Sequence, residues 1–478
     1  MRAVHAWGRA RCHGRCPGLR PLYPAITAPL TTLSPWSPIS WLGEPCALDR
    51  VAALSHPDSV PDHSAPPAAS YFVLGSLWLL VFTSASQAII ITPILPLIGD
   101  ALSIPAAWRG ALQGVYSWAL AASALFAGPI SDRVGRRRML LVGSGAMAAT
   151  LAAHGLADSF EGFLSVRVLA GICGGALSGA AVSYVGDAFP SERRGWATGL
   201  VMSGVPFGLV LGIPVGRVLA ASMGFRLPFL AFALLMGAAF LLMLRFLVQP
   251  PIERETAKLG LLPALRRYRA LMREPGVVPA IWSFVLMYGS LSLLITYLPQ
   301  WLTDRFSLDI QVFGHPLAIG VFRLDFIASL FLVGGIVSVI ASPKAGSLSD
   351  RIGRKPLILV SCVGLSITML LLVVALRERW MAYPFYCAIM GFFALRMSPF
   401  QALMTELVSG RLRGTLLALS ISAGQIAFGA GSFLAGALYT RYGFASNALA
   451  ATVSVVAMAA VVHWKLPETR RNRHSTEP

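Results

Sequence analysis

Residues 128–138 read GPISDRVGRRR, and residues 346–355 read GSLSDRIGRK, the same pattern 218 positions later. In both stretches a glycine lies four positions before an Asp-Arg pair, and a second glycine followed by basic residues comes after it. Another match has nearly the same offset, because Asp187 and Arg194 recur as Glu406 and Arg413, 219 positions later. Two matches at one offset predict that the chain contains a duplicated unit.

Long apolar stretches surround both copies of this pattern. Between Tyr71 and about Leu466 we count twelve of them, each close to the roughly 20 residues that a helix needs to cross a bilayer. A polar, basic stretch divides them six and six. The sequence therefore predicts an all-α membrane protein with twelve transmembrane helices, over residues 71–97, 108–130, 139–157, 161–186, 195–218, 226–248, 278–300, 325–347, 357–376, 380–407, 414–438 and 443–466.

The composition agrees with a membrane protein and argues against a water-soluble enzyme. Of the 478 residues, 56% are hydrophobic and 13% are charged, whereas about a quarter of an average soluble domain is charged. A net charge of +18 would otherwise suggest a nucleic-acid partner. Here the cations lie in short clusters between apolar stretches, so we expect the lipid bilayer and not a nucleic acid as the partner.

The distribution of these cations predicts the orientation. Twenty Lys and Arg residues fall in the loops on one side of the predicted spans and seven in the loops on the other. Cytoplasmic loops carry the excess of positive charge in membrane proteins. We therefore expect both termini in the cytoplasm of a multi-pass protein of the plasma membrane, which in a bacterium is the inner membrane.

The segments outside the spans divide the chain further. We expect residues 1–69 to be a disordered or spurious N-terminal extension, although their Arg-rich, acid-poor composition also resembles an organelle transit peptide. Residues 70–248 and 278–466 would form the two halves, 249–277 a cytoplasmic linker and 467–478 a cytoplasmic tail. The spacing of Cys12, His13 and Cys16 matches no closed zinc site, so we expect neither a metal nor a cofactor.

The repeated loop pattern resembles the loop motif of the major facilitator superfamily, and the resemblance extends over about residues 71–466. Arg167-Val-Leu-Ala-Gly171 resembles the span 4 motif of that family. Gln87, followed by Pro93 and Pro96, resembles the end of span 1 in its drug–proton antiporters. The resemblance implies two pseudo-symmetric six-helix bundles around a central cavity, alternating access and function as a monomer.

Span 5 carries small residues on one stripe, which lets a neighbouring helix pack closely. The glycines recur every four residues, and Pro214 lies among them. The antiporter motif of the family has its proline one place earlier and ends in a glycine pair, so this match is partial and favours export. The packing residues are Gly204, Gly208, Gly212, Pro214 and Gly216.

The loop motif also suggests a gate on the cytoplasmic side. A carboxylate is stabilised at a helix N-terminus, and spans 5 and 11 both begin on this side. We therefore expect Asp132 to dock near Arg413 at the start of span 11, and Asp350 near Arg194 at the start of span 5. Gly128 would let the helices approach closely. The other predicted gate residues are Arg133, Gly135, Arg136, Asp187, Gly346, Arg351, Gly353, Arg354 and Glu406.

Five residues are candidates for binding a substrate. Arg396 precedes Glu406 by ten residues and so lies about 15 Å into span 10, where a charge needs a cavity or a partner. The alternative is a buried structural arginine bonded to backbone carbonyls. Gln87, Tyr116, Tyr288 and Gln425 also lie near mid-depth, and each could instead make a satisfied contact between helices.

Proton coupling has no obvious central carboxylate, because no Asp or Glu falls near the midplane of a predicted span. The family motif implies that Arg167 takes part in coupling. Asp325 is a second candidate, although at the outer mouth a solvated pair with Arg323 is an alternative; Glu161 and His154 are further ones.

Taken together, the sequence predicts a secondary active transporter that exports a small organic solute, with protons as the coupling ion. Uptake or facilitated transfer of a small anionic metabolite, or a non-transporting sensor, remains as an alternative. The chain has no G-x-x-x-x-G-K-[ST] loop for ATP, which argues against a primary pump. Neither a His-rich cluster nor paired carboxylates on one helix suggest an enzyme.

Overall fold

A computed structural model describes residues 67–250, 268–308, 311–312, 315–316, 318–319, 322–408 and 410–466. The N-terminal extension, most of the linker and the tail lie outside the described residues. So do the side chains of Asp132, Arg323 and Arg413.

The first half forms the six helical spans that its apolar stretches predict. Spans 1, 4 and 5 are each interrupted, and span 5 contains a π-helical turn. In chain order the segments are Pro67–Ile89 and Ile91–Ala101 (span 1), Ala111–Val134 (span 2), Arg136–Ala153 (span 3), Phe160–Leu177 and Ala180–Ala188 (span 4), Ser191–Met202, Gly204–Phe207, Gly208–Gly212 and Ile213–Met223 (span 5), and Leu227–Phe246 (span 6). Short helical turns at Ala106–Arg109 and His154–Leu156 lie between spans.

The second half repeats this order. Its spans are Val277–Ile295 and Leu298–Arg305 (span 7), Phe326–Ile352 (span 8), Arg354–Ala375 (span 9), Ala382–Glu406 (span 10), Gly410–Tyr442 (span 11) and Phe444–Lys465 (span 12). A short turn, Arg379–Met381, precedes span 10. Two antiparallel hairpins that the sequence did not predict lie before span 8: Gln311–Val312 pairs with His315–Pro316, and Ala318–Ile319 with Phe322–Arg323.

Eleven described helices are long and apolar enough to cross a membrane. Span 2, with 24 residues, is not among these eleven. Its Gln113 and Ser117 are buried, because span 2 packs against span 4 on one side and span 11 on the other. Polar side chains are tolerated there since they face protein and not lipid.

The helices pack as two six-helix bundles. In the first, span 2 packs on span 4, span 3 on span 6, and span 1 on spans 5 and 6; in the second, span 7 packs on spans 11 and 12, and span 10 on spans 8 and 9. The bundles meet where span 2 crosses span 11 and where span 5 crosses span 8.

Span 5 shows how the glycine stripe and the prolines act. A Cβ added at Gly204 would lie 2.9 Å from the Trp78 carbonyl oxygen of span 1, and one at Gly212 would lie 2.0 Å from Ser86 Oγ. Pro214 has no N–H to offer to the carbonyl four residues earlier. The preceding turn, Gly208–Gly212, takes the wider π-helical form, which is a common way for a helix to absorb such an interruption.

Within the part of the chain that the structure describes, the tightest backbone approaches of the two bundles lie on one side. We call the side with the two Asp-Arg loops the motif side and the opposite side the far side. On the far side, a Cβ added at Gly110 would lie 2.1 Å from the Ser432 carbonyl oxygen. One added at Gly436 would lie 2.2 Å from the Ala107 carbonyl oxygen. On the motif side, Gly195 and Gly199 at the start of span 5 have nothing within 4 Å of an added Cβ. The far side is thus closed by direct backbone contact.

Candidate transport site and its gates

Three of the predicted site residues form one cluster inside the first bundle. Gln87 Nε2 of span 1 donates a hydrogen bond of 2.9 Å to Tyr116 Oη of span 2. The Arg167 guanidinium of span 4 lies over the Tyr116 ring, 4.2 Å from its centroid, and its Nε donates to the Leu112 carbonyl oxygen. Gln87 and Arg167 have no exposed surface, and Tyr116 is 2% exposed.

This cluster has unused hydrogen-bonding capacity. Gln87 Oε1, both Arg167 Nη atoms, Gln113 Oε1 and Ser117 Oγ are buried and have no partner among the described residues. Buried polar atoms without a partner are costly, and water or a ligand commonly satisfies them. The arrangement of a guanidinium, a phenol and two amides can bind a carboxylate or ordered water.

His154 lies directly after the last residue of span 3, and its ring is packed between aromatic side chains of the first bundle. Its ring stacks on Phe229 with centroids 4.5 Å apart and meets Phe163 edge-on. Nδ1 lies 2.8 Å from the Thr150 carbonyl oxygen, and Nε2 has no described partner.

Tyr288 and Gln425 lie in the second bundle, apart from this cluster. Tyr288 of span 7 stacks on Phe284 with centroids 5.4 Å apart, and an added Cβ at Gly424 would lie 3.1 Å from its ring. Gln425 follows on span 11 and is half-buried. Span 11 contacts span 2 of the first bundle, and the Leu298–Arg305 segment of span 7 contacts the Ile91–Ala101 segment of span 1.

Arg396, the leading candidate for substrate binding, is buried within the second bundle, and its role in binding stays a prediction. Its side chain has no exposed surface, and its guanidinium lies 5.8 Å from the centroid of the Phe393 ring on the same helix. Nη1 lies 3.6 Å from Met458 Sδ of span 12. Nε and Nη2 have no partner among the described residues. The estimate of depth was a measure along the helix, and it carried no information about which face the side chain occupies.

On the motif side, the repeated charges pair within each bundle. Arg136 Nε lies 2.8 Å from Asp187 Oδ2 in the first bundle, and Arg354 Nη1 lies 2.5 Å from Glu406 Oε2 in the second. The two pairs are related by the internal repeat. The first pair connects the start of span 3 to the end of span 4, and the second connects the start of span 9 to the end of span 10. Each pair therefore stabilises one bundle and does not connect the two bundles.

The next basic residue of each motif has a different partner. Arg137 Nε donates to the Leu247 carbonyl oxygen at the end of span 6, and Lys355 Nζ donates to that of Leu466 at the end of span 12. Cations favour the C-terminal end of a helix, where carbonyl groups lack partners. The basic cluster thus has a structural function that the sequence reasoning missed.

The motif glycines Gly135 and Gly353 have positive φ angles, 100° and 108°. Each lies at the sharp junction between two spans, and side chains other than glycine rarely adopt this conformation. This explains the glycine in both copies of the motif.

The predicted docking of Asp350 is absent from this arrangement. The Asp350 side chain is 70% exposed and lies 3.9 Å from Arg354 of its own bundle, while Arg194 donates to the Phe189 carbonyl oxygen. Gly128 borders open space, and an added Cβ at Gly346 would meet only Ser398 of the same bundle, at 3.2 Å. The expected close approach is therefore not made here, because the motif side is open. Arg133 and Arg351 are exposed.

Two polar clusters join the bundles on the far side. In one, Arg109 of the first bundle lies 2.6 Å from Gln300 Oε1 of the second and 2.7 Å from Asp100 Oδ1, and Tyr297 Oη donates to the Ala106 carbonyl oxygen. In the other, Arg217 of span 5 binds Asp325 at the start of span 8, at 2.6–2.7 Å.

Asp325 is therefore not in the solvated pair that the sequence suggested. It is 7% exposed, and its partner Arg217 is 1% exposed. The sequence reasoning took Arg217 only as a departure from a glycine pair. A charge within an apolar span is itself the signal that could have revealed it, because such a charge needs a partner.

The whole-chain comparison agrees with this architecture. The profile of the Major Facilitator Superfamily matches residues 77–336 and 313–478. The chain belongs to the major facilitator superfamily. It is thus a multi-pass membrane transporter of small molecules and not an enzyme.

Relatives within the superfamily include multidrug resistance proteins. The chain is 26% identical to the multidrug resistance protein MdtG of Salmonella arizonae over 409 residues, which are 82% of this chain and 95% of that protein. It is 29% identical to MdtG of Enterobacter lignolyticus over 310 residues, 63% of this chain and 70% of that protein.

Solved structures of the superfamily share the fold. The D-xylose–proton symporter superimposes with a TM-score of 0.67 at 17% identity, covering 84% of this chain and 98% of that one. A bacterial homologue of the lysosomal transporter Spinster, in an inward-facing and unoccupied conformation, gives 0.61 at 18% identity, with 84% and 96% covered.

Proposed function

We propose that this superfamily member exports small organic compounds from the cytoplasm in exchange for protons. The observation that carries the proposal is the similarity to MdtG, a multidrug resistance protein, along 82% of the chain. The glycine stripe and Pro214 of span 5, which partly match the antiporter motif, support the same direction.

In the proposed orientation the motif side faces the cytoplasm, because its loops carry most of the cations. Both termini then lie in the cytoplasm, and the membrane is the bacterial inner membrane. The described arrangement, with its far side closed, is the one that accepts solute from the cytoplasm.

The cluster of Gln87, Tyr116 and Arg167 is the proposed coupling and binding site of the first bundle, and Tyr288 and Gln425 are the proposed binding residues of the second. The two free Nη atoms of Arg167 offer donors to ordered water or to an acidic group of a substrate. The Tyr116 ring contacts the Arg167 guanidinium, and the Tyr116 hydroxyl accepts a hydrogen bond from Gln87 of span 1. Tyr116 thus connects Arg167 to span 1, so a movement of Arg167 can be transmitted to that helix.

The motif side would close by the docking of Asp132 near Arg413 and of Asp350 near Arg194. The exposed Asp350 carboxylate is free to make this contact when the bundles rock together. Helix N-termini stabilise a carboxylate by about 0.3–1 kcal/mol, and by more where the group is partly buried. Such a contact is strong enough to bias the equilibrium and weak enough to break in each cycle.

One observation favours a second candidate, the transport of a small anionic metabolite. Arg167 and Arg396 are fully buried, and no carboxylate of the described residues pairs with either one. A buried cation without a counter-ion favours a ligand that brings a negative charge. Of the two, Arg167 is the one that contacts another candidate residue, Tyr116.

Flux measurements in proteoliposomes with an imposed pH gradient test both candidates, with a panel of drugs, sugars and organic acids. We expect drug-dependent proton movement in the direction of antiport. Arg167→Gln should abolish that movement, whereas Arg226→Gln, on the exposed pair with Asp158, should keep it.

Proton movement driven only by organic acids would support the second candidate. If no compound moved at all, both would be refuted in favour of a sensor. Equal flux in Arg167→Gln and Arg226→Gln would contradict the coupling site.

A further inference from the structure

The start of span 8 holds the one buried carboxylate found in the described part of the chain, that of Asp325. Its two oxygens have separate partners. Oδ1 accepts a hydrogen bond of 2.8 Å from the Ala328 backbone N–H and so caps span 8. Oδ2 accepts from Arg217 Nε at 2.7 Å, with Nη2 at 2.6 Å.

Arg217 connects three helices and both bundles. Besides binding Asp325 of span 8, its Nη1 donates a hydrogen bond of 2.7 Å to the Pro93 carbonyl oxygen of span 1. Spans 1 and 5 belong to the first bundle and span 8 to the second. The far side therefore cannot open along spans 5 and 8 without separating Arg217 from Asp325.

From this geometry we infer that Asp325 is a proton-binding site at which a proton and Arg217 compete for Oδ2, so that a bound proton stabilises the open far side. A protonated carboxyl has no charge to hold the guanidinium. While the far side is closed, the ion pair excludes the proton. Once the bundles separate, solvent reaches the carboxylate and a proton can take the place of Arg217.

Few charged or titratable groups lie on the elements around Asp325. On span 10, Tyr383 Oη bonds Ser329 Oγ at 2.6 Å. At the end of span 7, Arg305 lies over the rings of Trp301 and Phe306. Arg379 precedes span 10, and Arg323 belongs to the hairpin before span 8, its side chain outside the described residues. Arg217 is the charged group that directly contacts the carboxylate.

The expected pH dependence has a definite sign. At high pH the pair is charged on both sides and favours closure; as the pH falls, protonation of Asp325 removes the pair and favours opening. The proposal concerns the equilibrium between closed and open far sides. It does not depend on the direction of transport or on the solute, so it can fail while the export proposal holds.

The test is a distance measurement across the far side of the full-length protein in phospholipid nanodiscs. Leu156 and Tyr442 are exposed on the far side of the first and second bundles, 82% and 70% respectively. Spin labels at Leu156→Cys and Tyr442→Cys, in a background with the six native cysteines replaced, report opening as a longer distance. We expect the long-distance population to grow as the pH is lowered from about 7 to about 4, since carboxylates held in ion pairs take up protons below about pH 5.

Asp325→Asn removes the charge but keeps the helix cap, because asparagine is as good an N-cap as aspartate. This variant should show at high pH a ratio of open to closed states at least about tenfold above the wild type, with no further response to pH. Asp158→Asn, a matched change at an exposed far-side carboxylate whose partner Arg226 belongs to the same bundle, should respond to pH as the wild type does.

Arg217→Gln gives the sharpest outcome. With the guanidinium gone, closure buries an unpaired carboxylate, so this variant should open at high pH and close as the pH falls, the reverse of the wild type. A wild-type distance that is insensitive to pH would overturn the proposal. So would a pH response that survives in Asp325→Asn, or one that keeps its sign in Arg217→Gln.

Discussion

The closest approach of the two bundles offers a quantitative prediction. Gly110 begins span 2 with φ −62°, an ordinary helical angle that alanine adopts without strain. A Cβ there would nevertheless lie 2.1 Å from the Ser432 carbonyl oxygen of span 11 and 3.0 Å from its carbonyl carbon. Both atoms are backbone, so no side chain can rotate away. Gly110→Ala therefore tests contact between the bundles and not local helix stability.

The magnitude follows from the overlap. Non-bonded contacts of carbon are favourable beyond roughly 3.5 Å, so the crossing must widen by roughly 1.4 Å in the closed state. Overpacking of this kind costs about 1–3 kcal/mol. Because the open state does not make the contact, the whole cost falls on the closed state. The ratio of open to closed far sides should rise about 5- to 150-fold.

The assay is the spin-label distance between positions 156 and 442 in nanodiscs at fixed pH. Gly237→Ala in span 6 is the control, since an added Cβ there meets nothing within 4 Å. We expect the longer distance to dominate in Gly110→Ala and the control to match the wild type. Equal distance distributions in the two variants would refute the claim that backbone contact at spans 2 and 11 closes the far side.

Three further predictions concern single elements. Arg396→Met should raise the free energy of unfolding by about 1–3 kcal/mol, because it removes an unpaired buried charge, and should leave substrate affinity unchanged in a binding assay. Gly353→Ala should lower thermal stability at a cost of about 1–3 kcal/mol, because of its positive φ, whereas Gly199→Ala in open space should not. A double-mutant cycle of Arg354→Gln and Glu406→Gln should give a coupling of about 0.5–1 kcal/mol in chemical denaturation, and additive effects would contradict the pair.

The candidate site was only partly predictable from sequence. Gln87, Tyr116 and Arg167 were each chosen for their depth or for a family motif, and the structure brings them together. Arg396 was chosen by the same measure of depth, and its guanidinium lies beside Met458 of span 12, in the other bundle from that cluster. Depth follows from counting residues along one helix, whereas the direction of a side chain depends on how the helix is rotated against its neighbours.

The sequence by itself determined the twelve spans and the duplication. Apolar length is a property of each segment alone, and lipid leaves a backbone of that length little choice but a helix. The doubled loop motif likewise indicated the family without any coordinates. These features are local or repeated, so one-dimensional information was sufficient.

Only the tertiary structure decided which charges meet. It placed Arg136 with Asp187 inside one bundle, and Arg217 with Asp325 between bundles, 108 residues apart in sequence. It also decided that the far side is the closed one in this arrangement. The physical reason is that an ion pair depends on a few ångströms of separation across helices that are remote in sequence. Those separations are set by the packing of glycines and carbonyl groups at the helix crossings.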